Sequence, residues 1–111
     1  MLRRADVMVS PHGADMINGL ALHAGASVIE VLPPLKDAGC PCGTFRDLYA
    51  LERSKIFYFA MATSNRSLAL DHGFGFHSDI LVPPPALKAA LDRVLSVKGD
   101  PKLYRVREFA Y

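Results

Sequence analysis

Asp6-Val-Met-Val-Ser-Pro-His-Gly-Ala-Asp-Met-Ile-Asn18 changes its period midway, and that change decides the fold. The first half, Asp6 to Ser10, is a short apolar run bounded by a Pro-His-Gly turn, which predicts a buried strand. From Asp15 to His23 the spacing turns helical. Met16, Leu20 and His23 fall on one face, and Ile17 and Leu20 sit three apart. Gly25 comes next as a C-terminal stop.

Beyond this unit, Ser27-Val-Ile-Glu-Val-Leu32 predicts a second strand, rich in β-branched residues and closed by Pro33 and Pro34. Residues 34 to 44 predict a loop, broken by Gly39, Pro41 and Gly43. With Thr44 as N-cap and Asp47 in the first turn, Phe45 to Lys55 predicts a helix. Ile56 to Met61 predicts a third strand, and residues 63 to 78, with Asn65, Gly73 and Gly75, a loop. Asp79 to Val82 predicts a short strand ended by Pro83, Pro84 and Pro85.

Ala86 to Val97 carries the clearest helical pattern. Leu87, Ala90, Leu91, Val94 and Leu95 make one apolar stripe, and Pro84 or Pro85 suits the first turn. The last ten residues are expected to be peripheral. Strands alternating with helices imply an α/β, Rossmann-like fold: a small, mostly parallel sheet flanked by helices. Residues 1–98 form the domain and 99–111 a C-terminal tail on this reading. The first strand lies so near residue 1 that the chain resembles the second half of a doubly wound domain.

Composition narrows the function classes. The chain has 111 residues, half of them apolar, which suits one small domain. The formal charge is +2, and cations such as Lys36, Arg46, Arg53, Lys55 and Arg66 form no run, so nucleic acid is not an expected partner. No stretch of 18 or more apolar residues is present to span a bilayer. Met1-Leu-Arg-Arg4 has the charge of a signal n-region, but Asp6, Pro11 and His12 break the apolar run that a signal peptide needs, and none is read. Cys40 and Cys42 flank a single proline, a spacing strained for a disulfide and weak for zinc, so free thiols are expected.

The chemistry concentrates in the strand–turn–helix unit. In open α/β sheets, ligands bind outside the carboxyl ends of strands. A helix N-terminus there presents unpaired N–H groups and partial positive charge, which suits a phosphate. Gly13 lets backbone approach an anion. His12 can donate a hydrogen bond to a phosphate oxygen, and Asn18 adds an amide donor. A satisfied structural turn accounts for the same residues when nothing else is considered.

The run Ala5-Asp-Val-Met-Val-Ser-Pro-His-Gly-Ala-Asp-Met-Ile-Asn-Gly-Leu20 resembles the signature of family 61 glycosyltransferases, an apolar strand leading into His-Gly-Ala-Gly-Leu-Thr-Asn and an apolar helix. Ala24-Gly-Ala-Ser-Val-Ile-Glu-Val-Leu-Pro33 is similar to the family's next strand, which ends in Glu-x-x-Pro. Looser similarity runs through Phe45 to Met61 and from His77 to Leu95. The resemblance implies a two-lobed GT-B fold, of which this chain would be part of the C-terminal lobe. It implies a nucleotide-sugar donor, UDP-linked, and inverting transfer to a glycan or glycoprotein hydroxyl. No metal or other cofactor is required, and the Golgi or secretory pathway is the implied setting.

By the same resemblance His12, Gly13, Ala14 and Asn18 line the diphosphate and sugar, and Glu30 accepts two ribose hydroxyls. The general base commonly sits across the cleft in the other lobe, and His12 is the local candidate. One position departs: Asp15 stands where the family has glycine. Near a helix N-terminus a carboxylate is favourable. At about 4 Å from a phosphate, with an effective dielectric near 20, it is repelled by roughly 4 kcal/mol. Either Asp15 points away as a cap, or it weakens the donor site.

Other candidates carry less. His23 is expected to pack on the apolar face of the helix. His72 and His77 flank Gly73-Phe-Gly-Phe76 in a loop. His12, Asp15 and His23 do not share a helix face, so no metal site is expected. The competing functional reading is a catalytically inactive, Rossmann-like binding or interaction module.

Overall fold

A computed structural model describes residues 5–11, 14–32, 43–50, 55–63, 82–97, 100, 102, 104 and 108–111. Four strands, β1 (Val7–Pro11), β2 (Ser27–Val31), β3 (Phe57–Ala62) and β4 (Glu108–Ala110), form one sheet in the order β1-β2-β3-β4. All three pairings are parallel. The helical elements are a 3₁₀ helix, Ala14–Ala21, then α1 (Gly43–Ala50) and α2 (Pro84–Val97). The α/β class and the parallel sheet therefore hold.

Strand periodicity divides the core in two. Even-numbered Val28, Tyr58 and Ala60 join Met16, Leu22 and Tyr49 beneath the 3₁₀ helix and α1. Odd-numbered Ile29, Val31, Phe59 and Met61 join Ala90, Val94 and Val97 of α2. The sheet is thus covered on both faces, as parallel sheets generally are. β2 lies between β1 and β3, and all five of its residues are buried.

Several expectations are corrected. The helix after β1 is 3₁₀, and its burial repeats every third residue, at Met16, Gly19 and Leu22. Leu20 and His23, expected to share Met16's face, point outward. The close approach at Gly19 explains the geometry: a Cβ there would meet Val28 Cγ1 at 2.7 Å and collide with the Tyr49 hydroxyl. The helix expected to run to Lys55 has ended before that residue, which adopts a left-handed φ of 51°. α1 also starts at Gly43, so Thr44 is inside it rather than its cap.

A further correction concerns the last residues, which are structural rather than peripheral. β4 pairs with β3 at Ala60, Met61 and Ala62. Below that register, the Tyr104 hydroxyl accepts from the Tyr58 N–H at 3.0 Å and donates to the Tyr58 carbonyl. It therefore satisfies β3's backbone where β4 does not reach. Tyr104 also meets Phe57 and Phe59 edge-on, at centroid separations of 4.9 and 5.1 Å, and Phe109 stacks on Phe59. The Tyr111 hydroxyl donates to the Leu32 carbonyl, and burial pushes its pKa up to about 12.

α2 runs as expected, with Pro84 and Pro85 in the first turn, where the missing proline N–H costs no helical bond. Pro83 supplies the first carbonyl, to the N–H groups of Ala86 and Leu87. Leu95, expected in the apolar stripe, is half-exposed. Asp79 to Leu81, expected in a strand, and the loop with His72 and His77 lie outside the described residues, as do Cys40 and Cys42. Val82 is not in a strand.

Tyr104→Phe keeps the ring and deletes the hydroxyl that pairs with the Tyr58 backbone. An unsatisfied backbone pair predicts a loss of about 1–3 kcal/mol in urea unfolding. No loss would mean that another group already satisfies Tyr58.

Candidate functional site

The turn between β1 and the 3₁₀ helix leaves from the carboxyl end of a parallel strand, where α/β sheets bind ligands. Pro11 ends β1 and Ala14 begins the helix. His12 and Gly13, between them, lie outside the described residues. Ala14 and Asp15 are the first two residues of the helix. Asn18 is exposed on the helix's outer side, and its amide is not used in packing the core.

Glu30 is brought next to this unit. In the β1–β2 register its Cα partner is Ser10, and on its other side Ala60. Ser10 is buried, and its hydroxyl donates to the Pro11 carbonyl at 2.9 Å, within the backbone that enters the turn. Glu30 is not a surface acceptor: the residue is 0% exposed. The Tyr58 hydroxyl donates to Glu30 Oε1 at 2.5 Å. The fold thus sets a carboxyl group on the buried sheet face beneath the 3₁₀ helix and α1.

Two tyrosines, neither singled out by sequence, complete the arrangement. Tyr49 of α1 stacks on Tyr58, with ring centroids 6.1 Å apart and 20° between planes. Its hydroxyl donates to the Met16 carbonyl of the 3₁₀ helix. Burial raises the Tyr49 pKa most, the Glu30 charge raises it further, and a hydrogen bond with the Gly19 backbone opposes both. The available signal is the aromatic spacing itself. Tyr49 sits in an amphipathic helix and Tyr58 on the same strand face as Ala60, whose small side chain leaves room beside it.

His23 takes a role away from this site. It is exposed rather than packed, and Nε2 lies 2.9 Å from Asp6 Oδ1 while Nδ1 lies 2.9 Å from the Ala24 carbonyl. A carboxylate and a carbonyl only accept, so both contacts are made together when the ring is protonated. The bond to the Ala24 carbonyl raises its pKa most, with the bond to Asp6 next. These residues border a groove of about 500 Å³ with Val7, Gly25, Ser27, Val94 and Leu95. It opens at the amino ends of β1 and β2, opposite the turn, and belongs to no part of the candidate site.

Among the described residues no group of His, Cys, Asp or Glu is arranged to hold a metal ion, and no helix is long and apolar enough to cross a membrane. No protein-family model, curated protein or solved structure matches the chain.

These contacts generate two expected outcomes. Gly19→Ala forces a methyl against Val28 and Tyr49, and overpacking of this kind predicts a loss of about 1–3 kcal/mol. Unchanged stability would show that the 3₁₀ helix lifts at no cost. For His23 the folded pKa is raised, so its contribution is complete below the unfolded value near 6.5 and disappears as pH rises through the folded value. Stability of the wild-type chain is expected to fall over that window relative to His23→Gln, measured by urea unfolding at each pH. Parallel curves for the two would remove the ion pair from the account.

Proposed function

We propose that the chain is the nucleotide-sugar-binding part of a glycosyltransferase of the family 61 kind, a partial C-terminal lobe of a GT-B fold. The donor is UDP-linked, and transfer is inverting, to a glycan or glycoprotein hydroxyl, with no metal required. The observation that carries this reading is one juxtaposition. A parallel strand leads from its carboxyl end, by way of His12 and Gly13, to a helix, and Ser10 near the end of that strand is in register with Glu30 of the next.

Such a unit supplies two kinds of group that a sugar nucleotide needs. Backbone N–H groups at the helix start, with His12 and Asn18, stabilise the diphosphate, whose negative charge grows as it leaves. Glu30 is an acceptor and matches the ribose hydroxyls in chemistry, but it is fully buried against Tyr58 and meets them only if the donor opens that packing. In the reaction the acceptor oxygen bonds to the anomeric carbon, the bond from that carbon to the phosphate oxygen breaks, and UDP departs. A general base takes the acceptor's proton. His12 is the candidate within this chain, and the opposite lobe is the alternative source.

The second reading, an inactive binding or interaction module, is favoured by the sealing of Glu30, because a carboxylate engaged with Tyr58 inside the core also serves as a structural group. Calorimetric titration with UDP-glucose, UDP-galactose, UDP-xylose and UDP-N-acetylglucosamine separates the two. Heat with at least one supports donor binding. No heat with any of them, from a chain that unfolds cooperatively, leaves the interaction module.

Asn18→Ala is expected to weaken donor binding about ten-fold, the worth of one hydrogen bond to a charged group. Its melting temperature should stay close to wild type, because Asn18 is exposed. Unchanged affinity would remove Asn18 from the site.

A further inference from the structure

β1 is the outer strand of the sheet: β2 pairs with one of its edges, and no described strand pairs with the other. The Ser27 N–H donates to the Asp6 carbonyl at 2.9 Å, which fixes the phase of the strand. Backbone groups alternate sides along a strand. Asp6, Met8 and Ser10 therefore turn theirs to β2, while Val7, Val9 and Pro11 turn theirs outward. Pro11 has no N–H, and its carbonyl already accepts from the Ser10 hydroxyl. The outer edge thus offers two donors and two acceptors, the N–H and C=O groups of Val7 and Val9.

Native sheets usually blunt such an edge with charge. Val7-Met-Val-Ser-Pro11 carries none. Val9 is 42% exposed, and the other exposed large apolar side chains among the described residues are Ile17 and Leu20, on the helix that follows β1, and Leu95. Leu95 borders, with Val7, the groove at the amino end of β1. Exposed apolar surface thus gathers around β1, and none of these four residues belongs to α1, β3 or β4.

We propose that this edge is an interface for a second copy of the chain, joined β1 to β1 about a two-fold axis at Met8 into one continuous sheet. The inference stands apart from the donor-binding reading. Copies related by a two-fold axis must each offer what the other needs. Antiparallel pairing about Met8 sets Val7 opposite the second copy's Val9, and Val9 opposite its Val7. Each pair exchanges both N–H···O bonds, so every outward donor and acceptor is satisfied. An axis at Val9 would bring Val7 against Pro11, which has no N–H to return. An axis at Val7 would bring Val9 against Ala5, which lies outside the strand. About Met8, Asp6 falls opposite Ser10 rather than a second Asp6, so no like charges meet. The second copy's Val9 arrives beside Val7, where it covers the wall that Val7 shares with Leu95. Pairing five residues per copy buries less than the roughly 1,200 Å² of a stable complex, so the dissociation constant is expected on the order of 0.1 mM.

Sedimentation velocity over concentrations bracketing that value should carry wild type from its monomer mass of 12.1 kDa towards twice that mass. Val9→Lys adds a charge to the edge, and Val9→Pro deletes an outward N–H that β2 does not use. Both variants should stay at monomer mass and melt as wild type does. Val9→Lys carries the test should the proline variant fail to fold. Wild type that remains at 12.1 kDa throughout overturns the second copy and leaves the edge to a strand of another protein. Val9→Lys that associates as wild type does overturns it too, because the interface would lie elsewhere. The register is read by oxidation with Cys40→Ser and Cys42→Ser in the background. Met8→Cys sets two thiols across the axis, within disulfide reach, and should link the copies covalently. Val9→Cys should not, because it faces Val7. Linking at Val9, or none at Met8, overturns the axis.

Discussion

A strand paired on both edges and covered on both faces has no solvent to receive any of its groups, and β2 is that strand. Its backbone is committed to β1 and β3. Its odd side chains enter the α2 cluster, and its even ones face the 3₁₀ helix and α1. The two flanking strands and the helical layers are placed by what β2 requires. α2 covers Ile29 and Val31, while the 3₁₀ helix and α1 cover Val28 and Leu32. Gly25, at φ 90°, turns the chain into β2. The Gly25 N–H donates to the Lys55 carbonyl at 2.9 Å, joining the turn before β2 to the turn before β3.

How much can be read from the residues depends on how local the deciding interactions are. β2, β3 and α2 are announced by side chains within their own spans: β-branched and aromatic runs for the strands, and a stripe behind two prolines for the helix. β4 has no such signal. Glu108, Phe109 and Ala110 form a strand only because β3 offers an open edge, and the pairing joins residues far apart in sequence. The 3₁₀ helix escapes local reading for a related reason. Its apolar residues fit an α pattern, and only the approach of Tyr49 and Val28 to Gly19 selects the tighter period. That contact is not visible from residues 14–21 alone.

The candidate site divides in the same way. The succession of strand and helix around Gly13 is legible because the two elements follow each other directly, whereas His12 and Gly13 themselves lie outside the described residues. The neighbour relation between Ser10 and Glu30 is not, because it depends on the β1–β2 register. Nor is the burial of Glu30, although a single carboxylate in the run Val28-Ile-Glu-Val-Leu32 marks the residue that local composition cannot explain. Tyr49 and Tyr58 are hidden for a third reason. Their part is played through hydroxyls acting on other residues, and spacing reports which face a ring occupies, not what its oxygen meets.

A carboxylate is a costly side chain for a fully buried strand such as β2. Removing one from water costs several kcal/mol, and each hydrogen bond to a charged group returns about 1.5–3 kcal/mol. The stacking of Tyr49 on Tyr58 adds about 0.5–1.5 kcal/mol, and that term survives with any residue at position 30. An apolar side chain like those of its neighbours Ile29 and Val31 would meet none of the desolvation cost and contribute about 1.5–3 kcal/mol of its own. On the proposed reading, the carboxylate also has work toward a ligand. A buried, oriented acceptor makes a stronger hydrogen bond than a hydrated one, because the surrounding medium screens it less. A glutamate on the surface would be cheaper to keep, but it would offer a ribose only a loosely held group already solvated by water. The cost carried by Glu30 and the strength of its bond from Tyr58 have one origin: the absence of water around them.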